Sequence, residues 1–222
     1  MGKKLGTRWN TSLPDKMKTV TYEEIVNRAC EAAGRGRSKL PAAESSLLRS
    51  ALAIDLRRVW NGVDWPELIP DPAETAVTDG EFSKAEGTDD ELGDILGIYS
   101  ANPRSTTIYD EVGWDEGDGV VRVHNADDGS GYSTVWVESM LPCPDLTVDA
   151  ELGLSGGETV DDYEMPARFA AWLAERGAAH LLTADGATVL AGVHFGLAES
   201  YLNAELERIT RPPWRDKLKF RR

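Results

Sequence analysis

The residue types that most often carry catalysis or bind metals are scattered along this chain. Its three histidines are His124, His180 and His194, and no pair has the HxxxH or HExxH spacing that places two ligands on one helical face. The segment 115–119 (DEGDG) has the composition of a calcium loop. It lacks the 1, 3, 5 oxygen pattern and the distal glutamate of an EF-hand. We therefore interpret the histidines as structural and the acidic segment as a turn.

Patterns for nucleophiles and phosphate binding are also incomplete. Ser155 lies in GLSGG rather than GxSxG, and no predicted strand precedes it. The run 153–158 (GLSGGE) is not followed by the Lys and Ser/Thr of a phosphate-binding loop. Cys30 falls on the apolar face of a predicted helix, and Cys143 lies between two prolines. The sequence therefore predicts no enzymatic activity, no cofactor and no metal site.

Length and charge narrow the class of protein further. The 222 residues are 41% hydrophobic, which is enough to bury a sizeable core. The formal net charge of -14 disfavours nucleic acid as a bulk partner. No run approaches the ~18 apolar residues of a membrane span, and no apolar stretch follows the N-terminal lysines. We therefore predict no membrane partner and no secretion by a signal peptide.

Two helices are predicted in the first third of the chain. Residues 1–19 have neither helical nor strand periodicity and are interpreted as an N-terminal arm. Thr21 and Glu24 form a capping-box pattern that begins the first helix, and Gly34 ends it. Pro41 is well placed to open the second helix. Its predicted apolar stripe comprises Leu47, Leu48, Ala51, Leu52, Leu56, Val59, Trp60 and Val63.

The middle of the chain changes character at about residue 70. Residues 70–162 contain 23 Asp/Glu against 3 Lys/Arg, with many glycines. Runs of β-branched and aromatic residues predict a small antiparallel sheet, at 95–99, 120–124 and 134–137. The Gly-rich segment 125–131 predicts a hairpin connection. The apolar-poor stretch 71–91 predicts a long loop.

Two further helices are predicted after this region. Pro166 is suited to an early helical position. The residues expected on one side of this third helix are Phe169, Trp172, Leu173, Arg176, His180 and Thr183. The last helix is expected over about 187–210, before the Pro212-Pro213 pair. Its predicted inner stripe comprises Leu190, Val193, Leu197, Tyr201, Ala204 and Ile209.

These elements together predict an α+β fold. We expect a four-helix bundle with an antiparallel β insertion between helices 2 and 3, and extended N- and C-terminal arms. The predicted divisions are an N-terminal arm at 1–19, a helical bundle at 20–69 plus 163–211, an acidic β insertion at 70–162 and a basic C-terminal docking tail at 212–222.

The basic tail has alternative partners. Residues 211–222 carry six Lys/Arg against one Asp, with Trp214 and Phe220 among them. Such a segment can bind single-stranded nucleic acid by stacking and charge. It is tethered to a strongly acidic chain, which favours an acidic protein groove with an aromatic anchor instead. A solvated tail without a partner is the third interpretation.

Three segments carry a resemblance to a known family: 21–26 (TYEEIV), 56–68 (LRRVWNGVDWPEL) and 98–104 (IYSANPR). With the order of helix pair, sheet insertion, helix pair and basic tail, the chain from about residue 19 resembles the head-to-tail connector (adaptor) proteins of tailed bacteriophages. The extension before Met17 and the larger, more acidic insertion differ from the simplest members of that family.

The resemblance implies a structural role in the neck of a virion. It implies a homo-oligomeric ring, commonly of twelve subunits, that assembles in the host cytoplasm, binds the portal protein and a downstream tail or neck protein, and lets double-stranded DNA pass. The portal-docking role would fall to Trp214, Arg215, Lys217, Lys219, Phe220, Arg221 and Arg222. An acidic wall would suit DNA passage, because DNA adhesion comes from neutralising phosphates.

A second function class stays open at this point. The β insertion could be a carbohydrate- or receptor-binding module of a virion, with Trp114, Tyr132 and Trp136 as a stacking face. Aromatic residues in strands also serve as core residues, so the positions of these three side chains in the sheet bear on this alternative.

Overall fold

The fold is described from a computed structural model of the chain, which describes residues 18–84, 92, 94–124, 131–147 and 159–210. The chain divides into two compact units. We call the described residues within Val63–Cys143 the sheet unit. The helical unit is formed by the described residues within Lys16–Gly62 and Pro144–Arg222. The predicted N-terminal arm, apart from Lys18 and Thr19, lies outside the described residues, as does the basic tail.

The helical unit contains α1 (Tyr22–Ala32), α2 (Ala42–Trp60), α3 (Ala167–Ala184) and α4 (Thr188–Thr210). The predicted first helix is confirmed, and its N-cap is Thr21, whose hydroxyl accepts the backbone N–H of Glu24 at 3.2 Å. Glu24 pairs with Arg28 at 2.5 Å. Gly34 has a φ of 71°, a conformation that glycine adopts without strain at a helix end.

Helix α3 is central to the helical unit, since α1, α2 and α4 each pack against it. Its approach to α1 depends on Gly177, where a Cβ atom would lie 2.8 Å from the Cβ of Ala29. On the α2 side, Trp60 stacks on Phe169 with ring centroids 5.6 Å apart. The largest side chains buried in this unit include Ile25, Leu52, Leu56, Phe169 and Leu173.

Two short strands precede helices in this unit. Strand β1 (Thr19–Thr21) leads into α1, and β8 (Glu164–Pro166) leads into α3. They pair antiparallel, with Val20 opposite Met165. This two-stranded sheet joins the starts of two helices that are far apart in sequence.

The predicted fold class is therefore wrong. The structure has four helices and eight strands in three antiparallel sheets among its described residues, with strands before α1 and α3, and not one helix bundle with a single insertion. The physical reason is that β1 and β8 are three residues each, too short to show periodicity, and pair only when the chain closes. In addition, α4 packs mainly against α3, so the helices do not enclose one shared four-helix core.

The sheet unit contains two of the three sheets. Strands β2 (Ala73–Ala76), β7 (Thr134–Ser139) and β4 (Ile95–Tyr99) form one, in that order. The other has the order β3 (Glu81–Ser83), β6 (Val120–Val123) and β5 (Trp114–Gly117). All neighbouring strands are antiparallel.

The inward side chains of both sheets form one hydrophobic core. Strand β7 alternates as expected for a sheet with one buried face, with Val135 and Val137 inward. The buried members of this core are Val77, Phe82, Ile98, Val112, Val121, Val123, Val135 and Val137. A tight turn at Asp118-Gly119, with positive φ at both residues, joins β5 to β6. The predicted acidic turn thus lies at a hairpin.

Two predictions about this region are wrong. The segment 125–131 does not close a hairpin, because β6 and β7 lie in different sheets; residues 125–130 themselves lie outside the described part. The predicted loop over 71–91 contains β2 and β3. Both strands are short, and β2 has only one partly buried residue, so the apolar pattern that reveals a strand is missing there.

Candidate protein–protein interface

The predicted portal-docking residues belong to the segment after Thr210, which lies outside the described residues. Their role stays a prediction. In the sequence this segment follows directly after α4, which ends at Thr210. The surface of α4 is therefore the described feature closest in the chain to the predicted docking tail.

The predicted inner stripe of α4 is wrong for most of its members. The side that packs towards α3 is instead lined by small or partly buried residues, namely Ala191, His194, Phe195, Ala198, Leu202, Leu206 and Ile209. Ala191 and Ala198 are buried there. Because alanines let two helices approach closely, this side of α4 packs against α3. The larger apolar side chains remain exposed on the opposite side.

Five large side chains form what we call the α4 outer face: Val189, Leu190, Val193, Leu197 and Tyr201. They are between 42% and 81% exposed and follow each other at helical spacing. Residues 188–204 contain a single Asp, Glu, Lys or Arg, which is Glu199. The exposed fractions amount to about three whole side chains, and at ~1.5–3 kcal/mol for each buried side chain their removal from water would release ~4–8 kcal/mol. An apolar surface of this kind marks an interaction site.

A second exposed apolar surface lies on α2. Leu47 and Ile54 are each 71% exposed and lie two helical turns apart, with the partly buried Ala51 between them. A pocket of about 170 Å³ opens beside them, between α2 and α3. We call this the α2–α3 groove; its lining residues are Glu44, Leu47, Leu48, Ala51, His180, Leu181 and Ala184.

A buried polar cluster lies at the side of this groove. Asp55 of α2 is buried and accepts hydrogen bonds from Arg176 Nη2 at 2.5 Å and Nε at 2.8 Å. The Nε2 atom of His180 lies 2.8 Å from the same carboxylate. Phe195 of α4 covers both α3 residues, with the Arg176 guanidinium 4.6 Å from its ring centroid and the His180 ring edge-on at 5.6 Å. The cluster thus joins α2, α3 and α4.

The charge state of Asp55 follows from these contacts. Burial raises the pKa of Asp55, but hydrogen bonds from His180 and Arg176, with the charge of Arg176, lower it by more. The net pKa therefore lies below the ordinary value of an aspartate. An ionised Asp55 that is fully hydrogen-bonded holds α2 on α3 and fixes the wall of the groove.

Asp55 and His180 form an Asp–His pair beside the groove, and His180 lines it. An Asp–His pair is the orienting and proton-accepting half of a triad, which also needs a nucleophile within hydrogen-bond reach. The residues that line the pocket include no Ser, Cys or Thr. In the part of the chain that is described, no group of three or more His, Cys, Asp and Glu side chains is placed to hold a metal ion.

The sequence also singled out three aromatic residues of the sheet unit and two further histidines. Trp114 and Tyr132 pack against the core of the sheet unit. Trp136 lies on β7 and Trp114 on β5, so they belong to different sheets. His124 pairs with Asp115 at 2.9 Å, and His194 with Glu175 at 2.6 Å.

Sequence reasoning missed the α2 part of the interface. The sequence pattern assigns Leu47 and Ala51 to the core stripe of the second helix and assigns no role to Ile54. A signal was available, because the apolar residues of α2 spread over more of its circumference than one packed neighbour can cover.

No protein-family model matches the chain, and no curated protein matches it. Among the described helices, none is both long and apolar enough to cross a membrane.

Proposed function

We propose that this chain is a structural protein of a bacteriophage virion neck. It would assemble in the host cytoplasm into a homo-oligomeric ring, with twelve subunits as the expected number, that joins the portal vertex of the head to the tail. The portal protein and a downstream tail or neck protein are its partners, and double-stranded DNA passes through without specific binding.

The observation that supports this proposal is the α4 outer face. This apolar stripe runs for more than three turns, from Val189 to Tyr201, and contains no Lys, Arg or Asp. Such a stripe is costly on an isolated subunit and typical of a chain that works in an assembly. The groove on α2 gives the same subunit a second apolar surface. Self-association is therefore the activity that the described residues favour.

The distribution of charge agrees with a ring around DNA. Acidic residues dominate the chain between its two basic ends, and an acidic wall offers DNA no phosphate-neutralising contacts. The basic tail continues from α4, so the helix that carries the apolar face also carries the segment proposed to bind the portal.

Mass photometry of the purified chain, with and without the portal protein of the phage to which it would belong, tests the proposal. We expect a discrete multimer, and a portal complex that is lost when residues 212–222 are deleted. Low and high salt separate the two contacts, because the basic tail is screened by salt and the apolar face is not. A matched variant, Trp214→Ala with Phe220→Ala, keeps the six basic residues and separates anchoring from charge.

The opposite result has a definite meaning. A stable monomer under every condition, including with the portal protein, would contradict the neck-ring proposal. Glycan-array binding by that monomer would then favour the carbohydrate- or receptor-binding alternative for the β insertion.

A further inference from the structure

We propose that the α4 outer face of one copy of this chain packs into the α2–α3 groove of a second copy. This inference depends on the self-association in the proposed function, and it specifies the two surfaces and their pairing. The contact is heterologous: each copy gives its α4 to one neighbour and receives α4 from another. Both surfaces lie in the helical unit.

The two surfaces have matching spacing. Leu47 and Ile54 of α2 are seven residues apart with Ala51 between them, and Leu190 and Leu197 of α4 are seven apart with Val193 between them. Seven residues make two helical turns, about 10 Å along each axis. Side chains at this spacing on two facing helices can alternate, each fitting between two from the partner.

Small residues allow the backbones to approach. Gly196 of α4 has open space where a Cβ atom would be, with no heavy atom within 4 Å. Gly196 lies beside Val193 and Leu197 on the exposed side of the helix. Ala51 is the small residue at the centre of the α2 row, where it borders the pocket. A wide α4 stripe can therefore enter the groove without displacing α2.

A contact between the α4 helices of two copies would cover less of the exposed apolar surface. It would cover the α4 outer face in both copies but leave Leu47 and Ile54 in water, at 71% exposure each. The heterologous contact covers both surfaces of every subunit. It also leaves one free surface at each end of a growing assembly, so that the chain of subunits continues until it closes into a ring.

The test uses two double variants of the full chain. Val193→Glu with Leu197→Glu places two carboxylates on the α4 outer face. Leu47→Glu with Ile54→Glu places two on the exposed apolar row of α2, which includes Leu47 of the groove lining. All four side chains are exposed, so both variants should keep the helical circular dichroism of the wild type. Asn203→Glu is the control, because it adds a charge at an exposed position of α4 beside the face rather than within it.

We expect the wild type and the control to form the same multimer, and each double variant to be monomeric, with association weakened at least ~100-fold by carboxylates buried without partners. An equimolar mixture of the two variants should give a dimer and nothing larger. The reason is that the intact α4 of one variant fits the intact groove of the other, while the two damaged surfaces end the chain on both sides.

Three results would overturn the inference. The groove variant could assemble like the wild type while the α4 variant is monomeric, which would show an α4–α4 contact. Both variants could assemble normally, or the mixture could give no dimer. In each case the wild-type multimer would leave the neck-ring proposal standing. A wild type that is monomeric even with the portal protein would overturn both.

Discussion

Replacement of Asp55 by alanine tests how the helical unit is held together. The change removes the carboxylate that accepts two hydrogen bonds from Arg176 and contacts His180. The Arg176 side chain is only 17% exposed, so its cation would remain largely buried. Glu199, at 4.0 Å and 59% exposed, is the acidic partner left to it within salt-bridge distance.

The expected loss of stability follows from the buried Arg176 cation that is left without its main carboxylate partner. Removing one partner of a buried ion pair costs about 3–5 kcal/mol, and Glu199 with the Phe195 ring offsets part of it. We therefore expect Asp55→Ala to lower the free energy of unfolding by about 3 kcal/mol, a large share of the ~5–15 kcal/mol of a typical domain. Urea denaturation followed by helical circular dichroism measures this, because the α-helices among the described residues all lie in the helical unit.

Two further variants locate the cause. Arg28→Ala breaks an exposed pair with Glu24, both 49% exposed, and should cost less than about 0.5 kcal/mol. The double variant Asp55→Leu with Arg176→Leu removes both buried charges and should recover at least half of the loss. A loss of less than about 1 kcal/mol for Asp55→Ala would refute the reasoning, since it would mean that water reaches the Arg176 cation.

Three other predictions concern the same unit. Gly177→Ala should lower the free energy of unfolding by about 1–3 kcal/mol, because its new Cβ would lie 2.8 Å from that of Ala29. At Gly192 a new Cβ would have no heavy atom within 4 Å, so Gly192→Ala should raise the free energy of unfolding by about 0.5–1 kcal/mol. The lowered pKa of Asp55 predicts a stability contribution that is present above pH ~4 and is lost as the pH falls through the folded-state pKa. The urea midpoints of the wild type and of Asp55→Ala, compared at several acidic pH values, measure this contribution. Arg35→Ala should cost about 1 kcal/mol, since Arg35 contacts Asp185 and, at 2.5 Å, Glu44.

Each of these predictions has an opposing result. Equal effects of alanine at Gly177 and Gly192 would show that α1 and α3 do not meet closely. If wild type and Asp55→Ala lost stability in parallel as the pH falls, the folded-state pKa of Asp55 would not be lowered. An Arg35→Ala variant as stable as the wild type would show that the contacts of Arg35 with Glu44 and Asp185 add nothing to the free energy of unfolding.

The helix boundaries could be predicted because their signals are local. The Thr21 hydroxyl caps α1 through the backbone N–H three residues ahead, and Gly34 adopts the positive φ that ends a helix. The turn at Asp118-Gly119 is equally local. Such interactions join residues that are neighbours in sequence, so the residue types alone indicate them.

The packed face of α4 could not be predicted for the opposite reason. Apolar residues occupy both sides of this helix, so its periodicity is satisfied by either side facing inward. The choice depended on the surface of α3, against which Ala191 and Ala198 fit closely. Four members of the predicted inner stripe are instead exposed and belong to the candidate interface, namely Leu190, Val193, Leu197 and Tyr201.

The sequence by itself determined the local structure: the four helices, the turn at Asp118-Gly119 and the acidic, glycine-rich character of the sheet unit. Only the tertiary structure decided that β1 pairs with β8, that β6 and β7 belong to different sheets, and that Asp55 meets Arg176 and His180 across 121 and 125 residues of sequence. Hydrophobic burial is non-directional, so a sequence indicates how much apolar surface must be covered. The shape of the neighbouring element decides which apolar surface is covered and which one stays exposed for a partner.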